Sequence, residues 1–346
     1  MTVGALDLSL RLDEPLQLSR LAGHPADVAG LGTLVYGGPG SDVAARPLHP
    51  GPVHDRFDTG GPVQRGQTGR VRWARAGRWC WGAIDCAAWD DAQGTPPERL
   101  GDAAEAVYRE LFEFLQHTDT PHLQRLWNYL PHINRIDGPL ERYRHFNLGR
   151  QRAMLAAHRA AFEGAPAACA LGVHHGPLVL RFLAGAEAPV AIENPRQVSA
   201  YHYPRDYGPA SPSFSRAALC RAGGQHLALL VSGTASIVGH ATVHVGDWRG
   251  QLDETLRNLD AVYGAARARC TAPFALADSH CVIYLREPAL AGAVLQAFAQ
   301  AVGPASTAAR TAVLLHADVC RSDLLLEIEA HAEAPGQLLS QALGTR

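Results

Sequence analysis

The sequence predicts an α+β fold in which mixed β-sheets carry helices packed outside them. Apolar runs of strand length alternate with helical periodicities along most of the chain, and hairpin patterns join some of the strands. The chain has 346 residues, of which 47% are hydrophobic and 18% charged, so there is ample material for a buried core. This length is typical of about two domains.

The two domains are predicted to meet near residue 190. An N-terminal half with a loop-rich extension occupies residues 1–190, and a C-terminal half occupies residues 191–346. A stretch rich in Pro and Gly at residues 193–212 marks the change from one half to the other.

The N-terminal half begins with 70 residues rich in Gly, Pro and Asp, as in the segment YGGPG at residues 36–40. Short strands joined by loops are expected there. Apolar residues spaced three or four apart then predict helices over residues 99–116 and 142–161. The other predicted elements are a hairpin that contains Trp73, Trp79 and Trp81, and strands at residues 123–134, 168–173 and 178–183.

The C-terminal half repeats this kind of order. A helix is predicted over residues 247–266, because Leu252, Leu256, Leu259 and Tyr263 fall on one face. Another helix is expected to start at Pro288, since the first turn tolerates a residue without an N–H. Strands are predicted at residues 226–231, 281–285, 312–316 and 324–330.

Composition excludes several classes of function. The net charge is −2 and the pI is near 6.8, which argues against a general nucleic-acid binder. All 31 basic residues are arginine and none is lysine. Schiff-base enzymes, including those that use pyridoxal phosphate, and P-loop NTPases are therefore excluded, because each needs a lysine.

The cysteines and the targeting signals favour a cytoplasmic protein. The seven cysteines include no CxxC pair, which is typical of reduced thiols rather than a disulfide scaffold or zinc module. The first residues lack the basic and apolar regions of a signal peptide. No apolar stretch approaches 18 uninterrupted residues, so no membrane span is expected.

The most informative candidate site is a pair of glutamates in the last predicted strand. Glu327 and Glu329 are two residues apart and therefore point to one face of that strand. A carboxyl buried in an apolar strand has a raised pKa, as a general acid at neutral pH requires. The alternative at this point is an edge strand whose polar face is solvated.

Two segments that mix arginine with aromatic residues suggest a binding site for a small dianionic ring compound. They are residues 143–150 and 201–207. Arginine forks bind carboxylates with two hydrogen bonds, and tyrosines add hydroxyl donors. A solvated helix face and a structural loop are the competing interpretations.

The remaining candidates are less specific. The small residues at 231–240 let a ligand approach the backbone closely, although an ordinary loop has the same composition. The pairs His174 with His175 and His240 with His244 lack supporting ligands, so no metal site is expected. Cys320, just before the last strand, has the default interpretation of a buried structural cysteine.

Several longer segments resemble known families. The C-terminal half is similar to RidA (YjgF) proteins in PSFSRA at 212–217, QLDETLRNL at 251–259 and LEIEA at 326–330. The longer resemblance, over about residues 126–330, is to the chorismatases, which cut pyruvate from chorismate. It is carried by LWNY at 126–129, ERYRHFNLGR at 141–150, IENPRQVSAY at 192–201, SGTASIVGH at 232–240 and DVCRSDLLLEIE at 318–329.

The resemblance implies two RidA/YjgF-like halves in one chain, with the active site in a cleft between them. It also implies a reaction that needs no cofactor and no metal. By this resemblance Glu327 is the acid that protonates the enolpyruvyl methylene of chorismate, which agrees with the chemistry expected of a buried strand carboxyl. The substrate is chorismate, and neither a nucleic acid nor a membrane is implied as a partner.

The family is divided by the fate of the oxocarbenium ion that protonation leaves. Hydrolytic members let water attack it and release a dihydroxy-cyclohexadiene acid. Other members exclude water, the ring's own 4-hydroxyl departs, and 3-hydroxybenzoate results through an arene-oxide-like intermediate. The members that form hydroxybenzoate carry Gly and Cys at positions matching Gly233 and Cys320. The two residues are therefore expected to set product identity more than rate. Gly233 is expected to let the substrate ring sit close to the backbone.

The implied reaction is therefore chorismate to 3-hydroxybenzoate and pyruvate, with some 4-hydroxybenzoate as in a third type of member. A hydrolytic chorismatase and a non-catalytic RidA-like binder are the alternatives. The implied assembly is a monomer or a homotrimer, and the setting is aromatic secondary metabolism. The substrate-binding residues suggested by type and position are Tyr143, Arg150, Tyr201, Tyr207 and Arg216.

Overall fold

Short strands occupy the N-terminal region, as its composition predicts. The computed structural model describes residues 15–23, 30–37, 45–49, 51–90, 99–159 and 164–339. Most of the YGGPG segment lies outside these residues. The strands of this region are β1 (Gln17–Ala22), β2 (Gly32–Tyr36), β3 (Arg46–Pro47) and β4 (Val53–Asp58).

The first half contains long strands interrupted by two helices. All the helices and strands predicted here are present, and the predicted tryptophan hairpin is formed by two adjacent antiparallel strands. The elements are β5 (Gln64–Thr68), β6 (Val71–Ala76), β7 (Trp79–Asp90), α1 (Leu100–Gln116), β8 (His122–Pro131), β9 (Ile136–Asp137), β10 (Leu140–Glu141), α2 (Arg142–Ala156), β11 (Ala167–Val173) and β12 (Pro177–Gly185).

The second half has the same alternation, and its predicted elements are also present. Pro288 opens a single 3-10 turn, Pro288–Leu290, that leads into a helix. The elements are β13 (Val190–Ile192), β14 (Ala217–Gly223), β15 (His226–Thr234), β16 (Ile237–Val238), β17 (Ala241–Thr242), α3 (Trp248–Arg267), β18 (His280–Leu285), α4 (Ala291–Val302), α5 (Thr307–Thr311), β19 (Val313–His316) and β20 (Leu326–Pro335).

Several predicted boundaries differ from the observed ones, and the strand predicted over residues 324–330 spans Leu326–Pro335. Two other ends have a clear local cause. The helix predicted over residues 142–161 ends at Ala156, and His158 takes a left-handed conformation with φ 51° just after it. Residues 160–163 lie outside the described ones. The strand predicted, together with its flanks, over residues 123–134 ends at Pro131, because His132 turns the chain with φ 50°. Both ends are set by single backbone conformations that periodicity does not report.

The two main sheets have the same topology. The first has the order β5-β6-β7-β12-β8-β11, and the second has the order β13-β14-β15-β20-β18-β19, with β3 added at its end. In each half a helix follows the third strand of the sheet, in the second half after the short strands β16 and β17. Among the described strands of each main sheet, the one parallel pair is joined through the second helical connection, β8 with β11 and β18 with β19. The predicted α+β fold of two equivalent halves is therefore confirmed, while residue 190 as a domain boundary stays a prediction.

The sheets face each other and the helices lie outside. Alternate residues of β20 show this division, since Ile328 and Ala330 pack with the helices of the second half. A separate core between the sheets contains Trp127 and Tyr129 from β8 together with Leu230 and Tyr284 from the second sheet. Within the described residues no helix has both the length and the apolar character needed to cross a bilayer.

The N-terminal strands are tied to the second half by one buried arginine. β1, β4 and β2 form a three-stranded antiparallel sheet that shares the core between the main sheets. Arg20 of β1 forms a buried ion pair with Asp55 of β4. The same guanidinium donates to the carbonyls of Cys281 and Thr311 at 2.6 and 2.7 Å.

Candidate active site

A cavity of about 250 Å³ lies where the two halves meet. The first half contributes α2 and β11, and the second contributes β15, β20 and the long connections before β14 and β20. The lining residues are Glu141, Tyr143, Arg144, Arg150, Ala168, Cys169, Ala170, Gln197, Tyr203, Tyr207, Pro212, Phe214, Arg216, Gly233, Ala235, Ile237, Cys320, Arg321, Ser322, Asp323 and Glu327.

Glu327 is buried in the middle of the second sheet. β20 pairs with β15 on one side and β18 on the other, so it is a central strand. The alternative of an edge strand with a solvated face is therefore wrong. Glu327 and Glu329 face the first sheet, as their spacing predicts, and each is 4% exposed. Glu327 lines the cavity, whereas Glu329 is not among its lining residues.

The environment of Glu327 favours its protonated form. Burial is the largest cause of a pKa raised to about 8, and the nearby Glu329 raises the pKa further, while Arg125 and Arg216 act in the opposite direction. A carboxyl with this pKa carries a proton at neutral pH and gives it up readily to a basic centre.

Gly233 makes room for the carboxylate of Glu327. The pairing of β15 with β20 is irregular between Val231 and Thr234, which brings Gly233 over the glutamate. A Cβ at Gly233 would lie 1.8 Å from Oε1 of Glu327 and 2.5 Å from its Cδ. A side chain at this position would therefore meet the acid first, and the expectation that this glycine also admits the substrate ring stays a prediction.

Cys320 lines the cavity as a neutral thiol. Burial raises its pKa to about 12, and the nearby Glu327 is the next cause. The side chain packs on two apolar clusters. A thiol in this state is a weak hydrogen-bonding wall rather than a nucleophile.

Two buried arginines supply cationic donors to the cavity. Arg150 is 1% exposed and donates to Oδ1 of Asn147 at 2.9 Å. Arg216 is 4% exposed and donates to the carbonyl of Val198 at 2.8 Å and to the Tyr203 hydroxyl at 2.9 Å. In each of them Nε is buried without a partner. Donors of this kind suit the carboxylates of an anionic ligand.

α2 places Arg150 because the helix packs closely on α1. A Cβ at Gly149 would lie 1.8 Å from the backbone oxygen of Gly101. Only glycine allows α2 to come this close to α1. The neighbouring residue Arg150 is buried in this arrangement. Its guanidinium lies 5.1 Å from the centre of the Phe146 ring.

The predicted tyrosines divide into two groups. Tyr143 and Tyr207 line the cavity, and the ring of Tyr143 stacks on Phe146 with centroids 6.4 Å apart. Tyr201 is not among the residues that line this cavity, and its place in substrate binding stays a prediction. It lies on the 3-10 turn Ala200–His202 with its edge against the His202 ring, and Tyr203, two residues later, reaches the cavity.

Sequence reasoning missed one cationic residue. Arg321 lines the cavity with its guanidinium 4.2 Å from the centre of the Tyr207 ring and 5.1 Å from that of Tyr203. Its Nη1 donates to the carbonyl of His240 at 2.8 Å, and its Nη2 is buried without a partner. The signal was present, since Arg321 follows Cys320 directly in one of the segments that carry the family resemblance.

The histidine pairs lie apart from this cavity or at its rim. His174 approaches His316, with 3.2 Å between Nε2 and Nδ1. His240 lies 3.3 Å from the Tyr207 hydroxyl through Nδ1. Across the described ranges, no three His, Cys, Asp or Glu side chains are grouped so that they could hold a metal ion.

A buried carboxylic acid beside buried, partly unpartnered guanidinium groups is the arrangement expected of an enzyme site for a small anionic compound. A family model described as chorismatase FkbO/Hyg5-like, N-terminal, matches residues 55–184. A chorismatase from Streptomyces hygroscopicus is 36% identical over 279 residues, which cover 78% of this chain and 76% of that protein. The chain therefore belongs to the chorismatase family.

Two further comparisons agree with this assignment. A 3-hydroxybenzoate synthase from Streptomyces hygroscopicus is 37% identical over 246 residues, covering 68% of this chain and 70% of that protein. A crystal structure of a chorismatase superimposes with a TM-score of 0.72 at 30% identity, covering 95% of this chain and 96% of that one. The alternative of a non-catalytic binding protein has no support, since the chain is an enzyme of this family.

Proposed function

We propose that this chorismatase converts chorismate to 3-hydroxybenzoate and pyruvate, with Glu327 as the general acid. The observation that carries the proposal is the position of Glu327, a buried acid at the wall of a cavity whose arginines have free donors. Chorismate is a dianion whose enol ether is broken by protonation at carbon. The names of the relatives, a chorismatase and a 3-hydroxybenzoate synthase, support the same reaction.

Substrate binding is assigned to the arginines and tyrosines of the cavity. Arg150 and Arg216 each hold one carboxylate of chorismate through donors that include the unpartnered Nε atoms. Tyr143 and Tyr207 lie along the ring. Arg321 caps Tyr207 and adds positive charge at the same wall.

Glu327 then transfers its proton to the methylene carbon of the enolpyruvyl group. The product is an oxocarbenium ion, and the carboxylate left on Glu327 stabilises this cation electrostatically. The ring C3–O bond then breaks and releases pyruvate while the oxygen of the 4-hydroxyl, having lost its proton, bonds to C3. Opening of the resulting arene oxide at its C4–O bond, with protonation of the oxygen and loss of the proton on C3, gives 3-hydroxybenzoate and restores the proton balance. Since 3-hydroxybenzoate and pyruvate together have the composition of chorismate, this route consumes no water, whereas the hydrolytic route consumes one molecule for each turnover.

The purified enzyme is expected to release pyruvate equimolar with the chorismate consumed, in a buffer that contains a chelator and no added cofactor. The acid and the anion-binding groups of the proposed mechanism are all side chains of this chain. A coupled pyruvate assay and chromatography of the aromatic products, including 4-hydroxybenzoate, measure the outcome against a sample without protein. Loss of turnover with the chelator, and its recovery with zinc or magnesium, would show that the cofactor-free mechanism is wrong.

Cys320→Ala is expected to divert part of the flux to the dihydroxy-cyclohexadiene acid while pyruvate release is largely kept. Removing the sulfur leaves room for water beside the cation, and a barrier difference of about 1.4 kcal/mol changes the product ratio tenfold. Chromatography with a parallel pyruvate assay measures the ratio. Cys220→Ala is the matched control, because Cys220 is buried between the sheets and is not a lining residue. If Cys320→Ala forms only hydroxybenzoate, Cys320 is a packing residue.

A further inference from the structure

The second glutamate of β20 has no place in the mechanism described so far. Glu329 is buried, lies on the same sheet face as Glu327, and is not among the residues that line the cavity. Two residues along a strand span about 6.6 Å, so the two side chains are close neighbours. A buried carboxylate at this position is costly, and its presence beside the acid needs an explanation.

Glu329 is held as a carboxylate by groups from two other strands. Its Oε2 forms a salt bridge with Arg125 of β8, which belongs to the opposite sheet, and Arg125 is 2% exposed. The Tyr284 hydroxyl of β18 donates to Oε1 at 2.9 Å. The ion pair therefore crosses the interface between the two halves and fixes a negative charge beside Glu327.

Most of the other titratable groups that face Glu329 are neutral. The exception is Asp55 of β4, which lines the same small cavity as Glu329 and is paired with Arg20. Burial raises the pKa values of the phenols and thiols around it well above neutrality, so none of them carries a charge at neutral pH. These groups come from β2, β8, β11 and β18, and they are Tyr36, Tyr129, Cys169, Cys281 and Tyr284. Within the described residues, Arg125 is thus the cation that this carboxylate contacts.

Several charged groups surround Glu327. Those that act most strongly on it are Arg125 from β8, Arg216 just before β14, and Glu329 on its own strand. The cavity that Glu327 lines also holds the charged side chains Glu141, Arg144, Arg150, Arg321 and Asp323. The remaining titratable groups that face it are neutral at neutral pH because burial raises their pKa values, and they are Cys320, Tyr143 from α2 and Cys169 from β11.

We propose that Glu329 is a positioning residue whose fixed charge keeps the Glu327 carboxyl protonated between turnovers. This inference rests on the proposed function of Glu327 as the acid. An ionised Glu327 would place a second negative charge beside that of Glu329, and both side chains are only 4% exposed. The neutral acid is therefore favoured even with two arginines near it. Without Glu329, those arginines would draw Glu327 into its ionised form.

Glu329→Gln tests this role through the pH dependence of kcat/KM. The alkaline limb of the profile, where the acid loses its proton, is expected to move down by about one pH unit or more. A shift of one unit lowers kcat/KM about threefold near pH 7.5 and leaves it almost unchanged near pH 5.5. The conservative variant Glu329→Asp keeps the charge and is expected to restore the wild-type limb.

The matched control is His331→Asn, which changes the next residue on the same face of β20. His331 is buried and its pKa is lowered to about 3, so it carries no charge over this pH range. Its replacement is expected to leave the alkaline limb in place. If Glu329→Gln does not fold, the double variant Arg125→Met with Glu329→Gln removes both charges, and a smaller downward shift is expected because the effect of Glu329 exceeds that of Arg125.

A titration that does not depend on turnover separates this inference from the proposed function. Infrared difference spectra report the protonated carboxyl of Glu327, assigned by the band that Glu327→Gln removes. A downward shift of its midpoint in Glu329→Gln supports the inference. An unchanged midpoint in a folded Glu329→Gln protein, or equal loss of activity at all pH values, would overturn it even if the wild type releases pyruvate from chorismate. Absence of that release from the wild type would instead contradict the proposed function.

Discussion

Replacing Glu327 with glutamine is expected to lower kcat for pyruvate release by about 10²–10⁴-fold, the usual contribution of general acid catalysis. The amide keeps the shape of the side chain in its buried position but has no proton acidic enough to give to carbon. Chorismate binding is expected to persist, because the arginines that hold the carboxylates are unchanged. Single-turnover kinetics measure the rate, and calorimetric titration measures the Kd.

A matched glutamate lies further along the same strand. Glu333 is exposed, and its carboxylate accepts from the backbone N–H of Leu18 at 3.3 Å, away from the cavity. Glu333→Gln is expected to retain the wild-type rate. If instead Glu327→Gln keeps a near-normal rate and Glu329→Gln is inactive at every pH, the acid is Glu329 and the assignment made here is reversed.

Gly233→Ala is expected to reduce kcat by about 10²-fold, with a much smaller change in chorismate binding. The new methyl carbon would lie 1.8 Å from the present position of Oε1 of Glu327. The carboxyl group must therefore shift to another position in the folded variant. A displacement of about 1 Å at a reacting group has an effect of this size. The measurement is the steady-state rate of pyruvate release, with circular dichroism to show that the sheets are intact.

The control for Gly233→Ala is another glycine with free space around it. A Cβ at Gly292, which is exposed in α4, would meet nothing within 4 Å, so Gly292→Ala is expected to leave the rate unchanged. A near-normal rate in Gly233→Ala together with a change of product to the dihydroxy acid would show that this glycine acts on the ring after all.

The order of helices and strands was predictable from sequence because each element carries its own periodicity. α1 and β20 show this, since the first has a clear helical stripe and the second alternates from Leu326 onward. The pairing of strands was not predictable in the same way. β3 has only the two residues Arg46–Pro47, and its place beside β19 depends on contacts made by the folded sheet.

For the candidate site, the sequence indicated individual residues but not the contacts between them. Glu327 was identifiable because a carboxylate inside an apolar strand is unusual whatever its neighbours are. The salt bridge of Glu329 joins residues 204 positions apart, and no local pattern connects them. For the same reason the sequence shows that residue 233 is glycine but not that the atom it makes room for belongs to Glu327.

The two main sheets share one strand order but are encoded by different parts of one chain, and this affects how the enzyme can evolve. A cavity between identical subunits presents copies of one gene on both walls, so every substitution alters the two walls together. Here one wall holds Tyr143 and Arg150, encoded in the first copy of the topology, and the other holds Glu327 and Cys320, encoded in the second. Selection can therefore change Tyr143 or Arg150 on one wall and leave Glu327 on the other wall as it is, so the two walls can diverge independently.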